Sequence, residues 1–167
     1  QYCADTFSHF MDKNRQQTIR VTRYGFGFSK TPKFIKKQPN QITKIEISGT
    51  LSVRKGFFDY CWLSSKIDRK YALFEAVGNQ DDYTKTILKL HKTPIQPDRS
   101  LSRSALLKRL ENWDILILPS YEEGLTMITP EALSKNTVVI ASDVSGATEY
   151  IGHAKTGFTF EHGNRQQ

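Results

Sequence analysis

Two carboxylates, Glu123 and Glu131, stand with seven residues between them, on either side of an acidic turn and the start of a short helix. Gly124, Leu125, Thr126 and Met127 lie inside that interval. Backbone N–H groups at a helix start have no intrahelical partner, so those near Leu125, Thr126 and Met127 suit a phosphate or another anionic oxygen. A carboxylate beside such amides makes chemical sense if it accepts hydrogen bonds from sugar hydroxyls, as an acidic residue does with ribose in dinucleotide-binding folds. Spacing alone leaves a plainer reading open, in which Glu123 is a turn residue and Glu131 complements the helix dipole. A second stretch of interest is Gly49-Thr50-Leu51-Ser52-Val53-Arg54-Lys55-Gly56, read as the first phosphate-facing loop of a doubly wound sheet. His9, His91, His153 and His162 show no ligand spacing, and no Ser/His/Asp or Cys/His triad is suggested.

The elements that must position these groups surround them. Ile115, Leu116, Ile117 and Leu118 form an uninterrupted apolar run, the pattern of a strand covered on both faces. Ile128, Ala132 and Leu133 recur at helical spacing, and Pro130 is tolerated only in a first turn, which puts the helix start between about Thr126 and Thr129. Asn136 can take the left-handed conformation that ends such a helix. Thr137-Val138-Val139-Ile140-Ala141 reads as a second buried strand, and the unit as a parallel strand–helix–strand. Ligands bind at the carboxyl edge of such sheets, where the acidic turn sits. The two strands are expected to be central neighbours.

Elsewhere, residues 43–48 alternate as a first strand and residues 71–78 give a second strand with its turn. Phe57, Tyr60, Cys61, Ser64 and Ile67 follow the period of a helix face, a stripe expected to be core. Asp81 and Asp82 suit a helix start, with Tyr83, Ile87 and Leu90 on its inner face. Residues 93–101 contain two prolines and allow at most an edge strand. Ser102 or Ser104 caps the next helix, which turns Leu106, Leu110 and Trp113 to one face. Residues 156–160 are the last strand. Near the amino end, Phe7, Phe10 and Met11 have helical spacing, residues 18–21 alternate, and Tyr24-Gly25-Phe26-Gly27 is a turn. The pattern predicts an α/β fold: a doubly wound, Rossmann-like parallel sheet with helices on both faces.

The string P-S-Y-E-E-G-L-T-M-I-T-P-E-A-L resembles the E-x7-E signature of retaining GT-B glycosyltransferases, and V-V-I-A-S-D-V-S-G-A-T-E-Y-I resembles that family's next strand and glycine loop. The resemblance runs from about Gly25 to Asn164. Residues 49–56 resemble the family's G-R-L-x-x-x-K-G loop, whose Arg and Lys neutralise the donor pyrophosphate. Lys55 matches the Lys, although a solvated loop lysine is the alternative. Thr50 occupies the Arg position and carries no charge. Arg54 could compensate, but residues adjacent in sequence generally point apart.

The resemblance implies a nucleotide-diphosphate sugar as donor substrate, with no cofactor and no metal. Its donor-binding residues would be Gly49, Thr50, Arg54, Lys55, Gly124, Leu125, Thr126, Met127 and Glu131. Glu131 would hold the ribose hydroxyls and Glu123 would touch the transferred sugar, with Glu123 and Lys55 carrying the catalytic roles. The domain would be one half of a GT-B fold, partnered by a separate amino-terminal acceptor-binding domain, and alone it would bind donor without turnover. The acceptor would be a glycan or a lipid-linked carrier in polysaccharide or glycoconjugate biosynthesis. A non-catalytic nucleotide-binding module, favoured by Thr50, and a GT-B-type nucleotide-sugar epimerase are the alternatives.

Composition sets outer bounds. A 167-residue chain with 38% apolar and 25% charged residues is expected to form one domain with a three-layer core. No apolar run approaches the roughly 20 residues a bilayer span needs, and no secretory signal is visible in the sequence. Of the 24 basic residues, nine fall between Lys13 and Ile45 with no acid among them, which leaves 15 against 17 acidic residues elsewhere. Residues 1–42 are therefore read as a basic linker or arm, and 43–167 as the donor-binding domain. Pro32, Pro39 and scattered Gln favour a solvated linker, then an anionic membrane or acceptor surface; no nucleic-acid partner is expected. Cys3 and Cys61 lack metal-ligand spacing, in keeping with a reduced, cytoplasmic setting, peripheral to the inner face of a membrane if the arm binds one.

Overall fold

Alternation in Thr43–Ser48 (β1) and unbroken apolar runs in Ile115–Leu118 (β3) and Val138–Ser142 (β4) build the centre of a parallel sheet. The computed structural model describes residues 8–11, 20, 41–90, 93–152 and 154–165. Ala72–Val77 (β2) and Gly157–Phe160 (β5) complete five strands in the order β2-β1-β3-β4-β5, and every pairing is parallel. Ile45 pairs with Ile115 on one side of the central strand, and Ile115 with Val138 on the other. The two buried runs are thus parallel neighbours, as their composition requires.

Side chains alternate along a strand, so β3 sends Ile117 to one face and Leu116 and Leu118 to the other. On the first face Ile45, Ile47 and Ile117 pack with Phe57, Tyr60 and Cys61 of α1 (Phe57–Lys66) and Ile87 of α2 (Asp82–Leu90). On the second, Leu116, Leu118, Val139 and Ala141 pack with Leu110 of α3 (Arg103–Leu110), Ala132 of α4 (Ile128–Leu133) and Ala147 of a short 3-10 turn. Helices therefore cover both faces of a Rossmann-like sheet. Each of the larger buried side chains contributes about 1.5–3 kcal/mol, which makes this the main source of stability for the carboxyl edge above it. The Phe57 stripe is core, and Tyr60 Oη donates to Ile45 O at 2.9 Å.

The inner face of α2 differs from expectation. Thr84 is buried in place of Tyr83, and Tyr83 and Leu90 are 58% and 72% exposed. Asp81 explains the rotation: its Oδ1 accepts from both Thr84 N and Thr84 Oγ1 at 2.7 Å, which turns Thr84 and Ile87 inward together. Residues 93–101 supply a single bridge to β2, through Asp98 N to Ala76 O at 2.9 Å and Gly78 N to Asp98 O at 3.0 Å. Ser102 caps α3 by accepting from Ala105 N at 3.3 Å. Asn136, in the turn after α4, has a φ of 60°.

The chain divides into two compact units, Gln1–Lys30 and Thr31–Gln167. In the first, residues 8–10 are helical. The readings that involve Cys3, Phe7, residues 18–19 and 21–27, His91, His153 and most of the basic arm lie outside the described residues. Among the described residues no helix is long and apolar enough to cross a membrane.

Candidate functional site at the β1–β3 switch point

In a sheet ordered 2-1-3-4-5 the topological switch point falls between β1 and β3, and ligands bind in the crevice outside the carboxyl ends there. The loop after β1 reaches that crevice. Gly49 begins it with a φ of 122° and donates its N–H to Val77 O at 3.0 Å. Leu51, 1% exposed, pins the loop to the core. Gly56 ends it with a φ of 69°, and a Cβ there would lie 1.9 Å from Pro119 O. Only glycine allows the loop to lie this close to the end of β3.

Close approach ties the two loops together. Tyr121 N donates to Arg54 O at 2.8 Å, and Arg54 Nη1 donates to Glu122 O at 2.8 Å. Lys55 Nζ donates to Glu123 Oε2, the same oxygen that Ser120 Oγ approaches at 3.4 Å and Arg54 Nη1 at 3.9 Å. Arg54 thus does not point away from Lys55, contrary to the expectation for adjacent residues. Residues 53–56 form a turn, where the strand rule of alternating directions has no force. Thr50, one residue into the loop, is exposed and makes no hydrogen bond among the described residues. Burial, and secondarily the Arg54 charge, lower the Lys55 ammonium to about 8.

The acidic turn is held from its other side by the loop after β4. Gly146 N donates to Glu123 O at 3.0 Å, and a Cβ on Gly146 would lie 2.5 Å from Gly124 O. Ser142 Oγ donates to Ser120 O at 2.6 Å. Gly124 is exposed, Leu125 half-buried and Thr126 buried against Thr129, and Met127, which directly precedes α4 without a capping hydrogen bond from its side chain, is exposed. Glu131, in the first turn of α4, is 5% exposed, and its Oε1 lies 2.8 Å from Arg103 Nη2 of α3. The structure therefore gathers Lys55, Arg54 and Glu123, while Glu131 pairs with a residue that the motif reading missed. The available signal was an arginine as first helical residue, where a cation is disfavoured by the helix dipole.

Among the described residues no group of three or more His, Cys, Asp or Glu is placed to hold a metal ion. A separate cavity of about 510 Å³ lies between α1 and strands β3–β5, walled mainly by Trp62, Leu63, Ile117, Ile140, Phe158 and Phe160. It includes neither Lys55, Glu123 nor Glu131, and Tyr121, His162, Asn164 and Arg165 also line it.

Sheet order, helices on both faces and loops converging at the switch point define a Rossmann-like domain of the kind that forms one half of GT-B glycosyltransferases. Residues 36–167 match the model of the family described as glycosyl transferases group 1, and the chain belongs to that family. Over 56 residues it is 38% identical to the N,N'-diacetylbacillosaminyl-diphospho-undecaprenol alpha-1,3-N-acetylgalactosaminyltransferase of Campylobacter jejuni, an alignment covering 34% of this chain and 15% of that protein. Its fold is similar to that of sucrose-phosphate synthase from Thermosynechococcus elongatus, with a TM-score of 0.68 and 18% identity over 77% of this chain and 34% of that one. Anabaena HepE, in a structure with UDP and glucose, gives a TM-score of 0.67 at 18% identity over 75% of this chain and 36% of that one. The chain spans about a third of the length of those two structures.

Proposed function

We propose that this chain is the donor-binding part of a retaining glycosyltransferase, which holds a nucleotide-diphosphate sugar whose sugar passes to a glycan or lipid-linked acceptor. The observation that carries the reading is the meeting of Lys55 and Glu123 at the β1–β3 switch point, beside the turn formed by residues 124–127. In this reading Lys55 and the turn amides take the pyrophosphate, Glu131 accepts from the ribose hydroxyls and Glu123 faces the transferred sugar. Without ligand, Glu123 is the counter-ion of Lys55. A diphosphate takes over that role and frees the carboxylate for a sugar hydroxyl. Catalysis is then positioning together with stabilisation of charge on the departing diphosphate, and acceptor recognition belongs to another domain. The UDP and glucose in the HepE structure support the ligand class, and the name of the Campylobacter relative supports a lipid-linked acceptor.

A second reading, a non-catalytic nucleotide-binding module, has the uncharged and exposed Thr50 in its favour. The proximity of Arg54 to Glu123 weighs against it, because a second cation is already at the cluster. The test is a thermal-shift panel on the 167-residue chain with UDP, GDP, ADP and dTDP, followed by their glucose conjugates and by Lys55→Ala. At least one nucleoside diphosphate should raise the melting temperature of the parent and leave that of Lys55→Ala unchanged. A folded parent that none of them stabilises at millimolar concentration contradicts the proposal.

A further inference from the structure

Arg103 is the first residue of α3, directly after the capping Ser102, and no acidic residue shares that first turn. A cation there is opposed by the helix dipole. Its guanidinium reaches Glu131 Oε1 at 2.8 Å, with 69% of the Arg103 side chain exposed against 7% of the Glu131 side chain. The exposed guanidinium is screened by solvent, but it is also the counter-ion of a nearly buried carboxylate and offsets part of the cost of burying it. The pair also supplies direction. Among the described residues Oε1 has an ionic contact, to one guanidinium nitrogen of the neighbouring helix, and Oε2 has none. A carboxylate fixed through one oxygen keeps a single orientation and presents the other to a ligand.

We infer that Arg103 is a positioning residue for recognition of a vicinal diol: by holding Oε1 it presets the Glu131 carboxylate to receive the 2′- and 3′-hydroxyls of a ribose. The inference rests on the proposed ribose contact of Glu131 and adds the residue that sets the geometry of that contact. A preset acceptor loses no rotamer freedom when the diol arrives. Arg103 itself touches neither the diol nor the phosphates.

Titration calorimetry on the 167-residue chain tests this with UDP, GDP and ADP, each beside its 2′,3′-dideoxy counterpart. The proteins are the parent, Arg103→Ala, Arg103→Lys, Glu131→Gln and the Arg103→Ala/Glu131→Gln double variant. The parent should prefer the ribo form, and Arg103→Ala should reduce that preference about tenfold, the scale of one hydrogen bond to a charged group. Dideoxy affinity should stay as in the parent. Arg103→Lys should restore only part of the preference, since a compact ammonium on a flexible stem fixes the carboxylate less well than a planar guanidinium. In Glu131→Gln the further loss of Arg103 should change nothing. A preference removed by Glu131→Gln but untouched by Arg103→Ala overturns the role of Arg103 and leaves the ribose reading standing. Equal loss of ribo and dideoxy affinity in Arg103→Ala also overturns it, by making Arg103 a phosphate contact. A parent that binds both forms alike overturns the ribose contact itself, and the inference falls with it.

Discussion

Lys55 Nζ and Glu123 Oε2 are in contact across 68 residues of sequence, each delivered by a loop leaving the carboxyl end of a different central strand. Neither loop could make the contact alone. Gly56 lets the first lie against Pro119, and Gly146 holds the second through a hydrogen bond to Glu123 O, lying too close to Gly124 O for any side chain. The pair is therefore a product of strand order, and its chemistry is that of a cation paired with a carboxylate until an anionic ligand takes the carboxylate's place.

Partial burial, which holds the Lys55 ammonium near 8, gives the site a pH dependence. A diphosphate prefers the charged form, so its affinity should fall as pH rises through about 8, well below the ordinary lysine range. Lys55→Arg should remove the dependence, because a guanidinium stays protonated throughout. Calorimetric titrations of the best-bound nucleoside diphosphate between pH 7 and 9.5 check both statements. A parent affinity flat across that window contradicts them.

Arg54 should matter more than position 50. With its Nη1 3.9 Å from Glu123 Oε2, Arg54 is near enough to share the phosphate charge, and Arg54→Ala should weaken nucleoside-diphosphate binding about five- to tenfold. Thr50→Arg should then gain less than the alanine variant loses, and both effects should shrink as salt rises. A large gain from Thr50→Arg, with Arg54→Ala silent, would show that a cation is missing from the site.

The parts of this arrangement that could be read in advance are those written in local pattern. The apolar runs of β3 and β4, the Phe57 stripe and Pro130 in the first turn of α4 are constraints that a few adjacent residues impose by themselves. The spacing of Glu123 and Glu131 draws attention to them, but it is the resemblance to the family's two motifs that gives them, and Lys55, their roles. What escaped depends on atoms distant in sequence or on turn geometry. Tyr83 looked like a better core residue than Thr84 until the Asp81 cap fixed the helix rotation. Arg54 was misjudged because a strand rule was applied to a turn. The Arg103–Glu131 pair joins two helices whose relative position no local pattern sets.

Glycines at the site divide by the space around them. Gly56→Ala combines a φ of 69° with a Cβ 1.9 Å from Pro119 O, and should destabilise the fold by about 2–4 kcal/mol. Gly124→Ala meets nothing within 4 Å and should stay within about 0.5 kcal/mol of the parent. Urea unfolding of the two variants decides the matter, and similar midpoints for both would contradict the close packing of the loop on β3.

Glu46, on β1 beneath α3, is fully buried and neither carboxyl oxygen receives a hydrogen bond; Arg109 Nε lies 3.5 Å from one of them. Burial pushes its pKa up to about 9 against the pull of Arg109, with Glu75 and Asp98 adding to the rise. Between an unfolded value near 4.5 and that folded value, the native state holds a proton the unfolded chain has released. Stability from this group is thus full below about pH 4.5 and is lost as pH rises towards 9, by at most about 1.4 kcal/mol per pH unit. Glu46→Gln should lack that slope. Chemical unfolding at pH 6, 7 and 8 checks it: parallel pH dependence in parent and variant would mean that Glu46 is ionised in the fold.

The measurement that bears most directly on the donor site is a calorimetric comparison of Glu123→Ala and Glu131→Ala with a nucleoside diphosphate and its intact sugar conjugate. Glu131→Ala should weaken both ligands by about 1–3 kcal/mol, as loss of hydrogen bonds to a charged acceptor does. Glu123→Ala should change the nucleoside diphosphate little and should lose the extra affinity that the sugar provides. Equal losses for both ligands in both variants would contradict a site in which one glutamate reads the ribose and the other the transferred sugar.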